Sequence, residues 1–276
     1  MAHHLPSGEK FPLEAGSKFQ LAKKAASVVA YTNGVKDVRA EGIYRFADKK
    51  WEPIHQQEGK YEQLSIAENG AQIAFLANFD TTESRIEPFD VYHWSSTAGV
   101  NKVVDRTADF LEEDWLISKN GRLEFSQNGK RLFFGIAPAP ALKDTSLLPV
   151  EEVSVEVWSY RDPVLYTQQE VQASREKRRT YRCVLFTDNG KVMQLGSKQL
   201  PEVRIGAEGN SAHIIAYNDR PYLKNVSWEG GPSAKDVYLI NLASGDQKQI
   251  ATGLRGNPAF SPEGKFVYWY PQTSDI

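Results

Sequence analysis

Two adjacent carboxylates, Glu112 and Glu113 in "FLEEDWLISKNGRLEFS", are residues whose type and spacing suit chemistry. Side by side they can hold an ammonium group through charge-assisted hydrogen bonds. Adjacent acids in a loop are also ordinary solvated surface, and the sequence leaves both readings open. There are five histidines, His3, His4, His55, His93 and His213. None falls in H-E-x-x-H or another metal-ligand spacing. His93, within "DVYHW", reads as a sheet histidine with its hydrogen bonds satisfied. Cys183 is the single cysteine, so there is no intrachain disulfide and no cysteine metal cluster. In "TYRCVLF" it reads as a small packed residue, not a thiol nucleophile, since no histidine is near it in sequence. A serine nucleophile of the hydrolase type would need G-x-S-x-G on a strand-to-helix turn. The nearest strings, "AGSKF" (15–19) and "LGSKQ" (195–199), lack the second glycine and a following helix. Apart from the pair Gly230–Gly231 the glycines fall singly, with no phosphate-cradling loop. The expectation is a chain with no catalytic residue, no cofactor and no metal ligand of its own, and with substrate-binding residues unassigned.

The bulk properties narrow the partners. A formal net charge of −2 argues against nucleic acid, which needs clustered Lys and Arg. The densest basic run, "REKRR" at 175–179, lies among Glu170 and Glu176 and reads as a solvated helix face. No window of about 18 apolar residues exists, so no membrane span is expected. The opening "MAHHLPSGEK" lacks the apolar core of a signal peptide. Tyr and Trp are spread through strand-like positions and read as core, not as a sugar-stacking platform.

The elements that would position any site are announced by a repeated phrase. "SKFQLAKKAASVVAY" (17–31), "EQLSIAENGAQIAFLA" (62–77), "RLEFSQNGKRLFFGIA" (122–137), "EVRIGAEGNSAHIIAY" (202–217) and "NPAFSPEGKFVYWYP" (257–271) align on Ala25, Gly70, Gly129, Gly209 and Gly264. Recurrence on this scale signals a repeat architecture. Each copy has the chemistry of a β-hairpin: alternating Leu123 and Phe125, a turn in "QNGK", then a run rich in aromatic and β-branched residues. A second, more polar hairpin follows at 41–55, 89–106, 182–196 and 235–252. Two hairpins per unit make the four strands of a propeller blade. This regular pairing weighs against a β-sandwich or an open solenoid. In the third copy "VSVEVWSY" alternates as a strand. Asp162 and Pro163 then open a mostly exposed helix over 163–179, with Asp162 as N-cap, inside a segment spanning 162–181.

The expected fold is therefore all-β, a partial β-propeller of four four-stranded blades and the start of a fifth, with one helical insertion in the third blade. An N-terminal segment spans 1–16 and the propeller 17–276, with blades at about 17–58, 62–106, 122–198, 202–253 and 257–276. Because the last phrase breaks off, the sequence is expected to be cut within a longer protein. Self-association through the exposed blade face is expected to follow.

The string "RLFFGIAP … VEVWSYRDPVLYTQQ … YRCVLF … KVMQL", followed by "IGAEGNSAHIIAYNDRPY … DVYLINLASG", resembles the N-terminal propeller of bacterial serine peptidases of the prolyl oligopeptidase family. The single blades also resemble TolB-like repeats. The resemblance implies a parent protein in which an α/β-hydrolase domain carries Ser, Asp and His, the propeller restricts access to peptides, and the location is periplasmic or secreted. The peptide substrate would be met through that hydrolase domain, absent from this chain, so the chain alone is expected to be inactive. In dipeptidyl-peptidase relatives a Glu-Glu pair holds the substrate's free amine, and the resemblance implies that role for Glu112 and Glu113. The alternative is a non-enzymatic, TolB-like propeller serving as a protein-binding scaffold.

Overall fold

The structure, a computed structural model, describes residues 2–3, 5–13, 16–32, 41–80, 82, 84–142, 159–229 and 233–271. Its fold is all-β and propeller-like, built from antiparallel sheets, most of the larger ones four-stranded meanders in which each strand pairs with the next in sequence. The chain divides into two compact units, 1–138 with 182–194 and 208–210, and 139–181 with 195–207 and 211–276.

In the first unit a short pair, β1 (Ala2–His3) and β2 (Lys10–Phe11), precedes the first sheet. That sheet is β3 (Gly16–Leu21), β4 (Val28–Thr32), β5 (Gly42–Ala47) and β6 (Lys50–Gln56), in that order. Its second hairpin turns on Asp48 and Lys49, both at positive φ, as a two-residue turn between right-twisted strands requires. The second sheet runs β7 (Lys60–Ile66), β8 (Gln72–Asn78), β9 (Asp90–Ser95) and β10 (Gly99–Val104). Alternation sorts the side chains. Val29 and Ile43 of the first sheet meet Tyr61, Leu64, Ile73 and Phe75 of the second in one buried cluster. Each fully buried Ile or Phe contributes roughly 1.5–3 kcal/mol by leaving water.

The third sheet departs from the expected pattern. Its first strand is split into β11 (Trp115–Ile117) and β12 (Glu124–Phe125), both paired with β13 (Arg131–Pro138). Between the two pieces the chain turns at Lys119–Asn120 and returns at Gly121, where an added Cβ would lie 2.5 Å from the Cα of Gly135. The sheet continues through β14 (Tyr181–Phe186) and β15 (Val192–Gln194). The expected strand in "VSVEVWSY" falls largely at 153–158, outside the described residues.

In the second unit the inserted helix α1 spans Tyr166–Glu176 and buries none of its residues. It begins three residues later than the sequence suggests, and Asp162 does not cap it. The first position outside the helix is Leu165, with no side-chain cap. Asp162 instead closes a turn through its N–H to the Ser159 carbonyl, 3.1 Å away. The fourth sheet is β16 (Glu202–Arg204), β17 (His213–Asn218), β18 (Lys235–Asn241) and β19 (Gln247–Leu254). A second helix, α2 (Leu223–Glu229), follows a turn at Arg220–Tyr222, and the sequence reading had no helix there. The hairpin β20 (Ala259–Phe260) and β21 (Val267–Tyr268) comes last, and Phe260 and Val267 pack on Ile215 and Val237.

One contact recurs from sheet to sheet. The turn glycine of each repeat lies against a residue of the preceding one. A Cβ at Gly70 would stand 3.1 Å from Ala25, at Gly129 2.8 Å from Gln72, at Gly209 2.9 Å from Ser126, and at Gly264 2.9 Å from Ser211. Gly209 also has φ +83°, a left-handed conformation that glycine adopts without a steric penalty.

Candidate functional site

The insertion lines a polar cleft in the second unit. α1 forms because 163–179 is rich in Gln, Glu, Arg and Lys, which lose little rotamer freedom in a helix. Having no apolar face, it is held by charge. Arg179, just past its C-terminus, donates to both carboxylate oxygens of Glu176 at 2.6 and 2.7 Å and to Oε1 of Glu202 at 2.7 Å. These pairs hold the Arg179 guanidinium charged and depress the carboxyl of Glu176, for which Arg179 is the largest cause. Between α1 and the edge of the fourth sheet lies a cleft of about 800 Å³, lined among others by Gln169, Gln172, Arg175, Glu176, Glu202 and Arg220. Gln169 is oriented by its Nε2, which donates to the Val164 carbonyl at 2.8 Å. The cleft thus offers guanidinium donors, carboxylate acceptors and side-chain amides. That mixture suits a peptide backbone with its charged ends, and it has no nucleophile paired with a base.

A cleft of about 690 Å³ in the first unit is also polar, but several of its carboxylates are already engaged. Glu87 pairs with Lys60 and, at 3.0 Å, with Lys119. Glu41 accepts the Gly59 N–H at 3.0 Å, and Asp80 accepts both the N–H and the hydroxyl of Thr82.

The residues singled out from sequence fall as follows. Glu112 and Glu113 lie exposed on the turn before β11, where the Glu112 carbonyl accepts the Trp115 N–H at 3.0 Å. No described cation partners either carboxylate. Cys183 is buried in β14, and desolvation pushes its thiol well above the usual range, so it carries no thiolate at neutral pH. His93 exchanges a hydrogen bond between Nε2 and Gln72 Oε1 at 2.9 Å, and burial lowers its pKa. His55 sits among the rings of Tyr61, Phe75, Phe79 and Tyr92, with Nε2 buried and unpartnered. His4 and the side chain of His3 lie outside the described residues. Of the two serine strings, "AGSKF" runs into β3 and "LGSKQ" is a loop whose Ser197 N–H meets the Leu200 carbonyl at 3.0 Å. Neither forms a nucleophile elbow. Among the described residues no group of His, Cys, Asp and Glu could hold a metal ion, and no helix is long and apolar enough to cross a membrane. Sequence reasoning missed Arg179, Glu202 and Arg220 as cleft residues. "RRTY", "PEVR" and "NDRPY" carry them without any spacing that joins them.

No protein-family model matches the chain, and no curated protein matches it. Solved structures do. The chain is similar to TolB from Acinetobacter baumannii, with 15% identity over 90% of this chain and 47% of that one, at a TM-score of 0.35. It is similar to the β-propeller domain of the Trilobed protease from Pyrococcus furiosus, with 12% identity over 91% and 62%, at 0.45. It is also similar to Porphyromonas gingivalis dipeptidyl peptidase 4, with 10% identity over 98% and 42%, at 0.49. The chain therefore spans less than half the length of the first and the last of these.

Proposed function

We propose that the chain is the access propeller of a periplasmic or secreted serine peptidase that cleaves peptides, the catalytic groups residing in a hydrolase domain beyond these residues. The observation that carries this reading is the helical insertion between β13 and β14 and the cleft it shapes. The insertion occupies the place in the repeat order on which the sequence resemblance rests. Its guanidinium, carboxylate and amide groups match the hydrogen-bonding needs of a short peptide. In this reading the propeller sorts substrates by size and charge, and acyl transfer from a Ser–His–Asp set happens elsewhere.

The test is to read the coding sequence past the codon for Ile276, express the whole protein and treat it with a fluorophosphonate probe. Labelling of one serine outside 1–276, with loss of hydrolysis of fluorogenic peptides, is the expected result. A whole protein with no labelled serine and no peptide hydrolysis ends the peptidase reading.

One observation favours the second reading, a non-enzymatic scaffold. The face of the first sheet turned away from the second carries an apolar groove of about 430 Å³ lined by Leu13, Phe19, Leu21, Val28, Phe46 and Trp51. Phe19 and Leu21 are 68% and 60% exposed there. Exposed apolar surface of this kind is how a binding module meets a protein partner. The same probe experiment separates the two, because a scaffold has no base-activated serine to label.

A further inference from the structure

Two cations at the end of the fourth sheet converge on a single neutral oxygen. Lys235, the first residue of β18, is 8% exposed and reaches Asn257 Oδ1 with its Nζ at 3.2 Å. Arg204, the last residue of β16, approaches the same Oδ1 with Nη2 at 3.5 Å and the Pro258 carbonyl with Nη1 at 3.3 Å. Both also address one ring. The Lys235 ammonium lies 4.8 Å from the centroid of Tyr217 and the Arg204 guanidinium 5.6 Å from it. Neither cation forms an ion pair among the described residues. Glu202 and Asp219 act on Lys235 from a distance, and the Glu202 carboxylate is already engaged by Arg179. Two like charges held beside one aromatic ring and one amide oxygen repel each other, and a ring quadrupole compensates little of that. The strain shows in the lysine, whose pKa is lowered first by burial and then by Arg204.

We propose that Lys235 and Arg204 form an oxyanion site, with Asn257 and Tyr217 as its walls, and that its ligand is a carboxylate. The arrangement is layered. Lys235 lies buried below and Arg204 lies exposed above, so an anion arriving from solvent meets the guanidinium first and the ammonium beneath it. A carboxylate supplies two oxygens, enough to bridge a forked guanidinium and a point ammonium together. This inference is independent of the peptidase reading. It holds equally for a scaffold, where the carboxylate would come from an acidic side chain or chain end of a partner.

The test uses the purified full chain and thermal melts at constant ionic strength in sodium chloride, sodium acetate or sodium phosphate. The midpoint should rise in acetate by about 2 °C or more over chloride. In Lys235→Met and Arg204→Gln the rise should vanish. Asn257→Asp places a carboxylate where the two cations already converge, so it should melt higher than the parent in chloride and lose its response to acetate. A response to phosphate alone overturns the carboxylate assignment. Equal midpoints in all three salts, with Asn257→Asp no more stable than the parent, overturn the site.

Discussion

Gln72 in β8 donates from Nε2 to the carbonyl oxygen of Gly129, 3.1 Å away in the turn of the next repeat, while its Oε1 is held by His93 at 2.9 Å. One side chain thus ties two strands of the second sheet to the third. Thr187 donates to the same carbonyl at 3.0 Å, so the turn is fixed from both sides. Gln72→Ala removes the bridge and leaves the half-buried His93 ring without its partner. The expected cost is about 1–3 kcal/mol, read as a lower urea midpoint with an unchanged slope. Gln72→Glu should not rescue it, because a carboxylate cannot donate to Gly129.

His55 and His93 make the first unit acid-sensitive. Burial lowers both pKa values below the ordinary 6.5, and for His55 a hydrogen bond with Gln57 opposes part of that shift. The unfolded chain therefore binds more protons than the folded one in the window between the folded pKa and 6.5. The sign follows: stability is fully present above about pH 6.5 and declines as pH falls through that window. Denaturant midpoints at pH 5.5 should lie below those at pH 7.5. In His55→Phe, which keeps the aromatic contacts, the difference should shrink. An unchanged difference in that variant would exclude His55 as a contributor.

The sheet-to-sheet glycine contact can be separated from backbone strain. Gly99 has φ +69° and open space around its Cβ position, whereas Gly209 has φ +83° and Ser126 and Phe133 at 2.9 Å. Gly99→Ala should cost about 1 kcal/mol, the strain of a left-handed alanine. Gly209→Ala should cost about 1–3 kcal/mol more, since backbone must shift to make room. Equal costs would show that the close approach carries no energy.

Arg179 is 22% exposed, so its bonds to Glu176 and Glu202 are worth on the order of 1 kcal/mol, and global stability should barely register their loss. The local effect should be larger. α1 buries none of its side chains, and Arg179→Ala removes its charged link to β16. Amide exchange across 166–176 should accelerate in the variant while β17 and β18 stay protected.

Cys183 should be silent. The native chain should leave its thiol unreacted with a disulfide reagent over the time in which the denatured chain reacts completely.

The sheets were legible because their signals are local. Alternation in "RLEFS" and "KDVYLINL", and a glycine at a fixed place in each turn, are short-range facts that tertiary packing reinforces. Even so, the turn after β12 holds only Gly129 at positive φ and not Asn128, so the dipeptide signalled the turn without fixing its type. β11 was hidden because three residues, Trp115–Ile117, are too few to show a period, and the pairing that makes them a strand comes from β13. α2 was hidden because "LKNVSWE" mixes β-branched, polar and aromatic residues. The turn that leads into it is held from outside, by Tyr222 Oη donating to Asp236 Oδ1 at 2.7 Å. The cleft residues and the Lys235–Arg204 pair join strands that are distant in sequence, so no spacing could announce them.

The glycine contact has a direction: the turn glycines at 70, 129, 209 and 264 each lie against a residue of a repeat that was made earlier. A ribosome releases the chain in that same order. Within the first unit the second sheet therefore emerges when the surface it packs on has already been made. The Val29 and Ile43 face of the first sheet is covered only once the second sheet has been made.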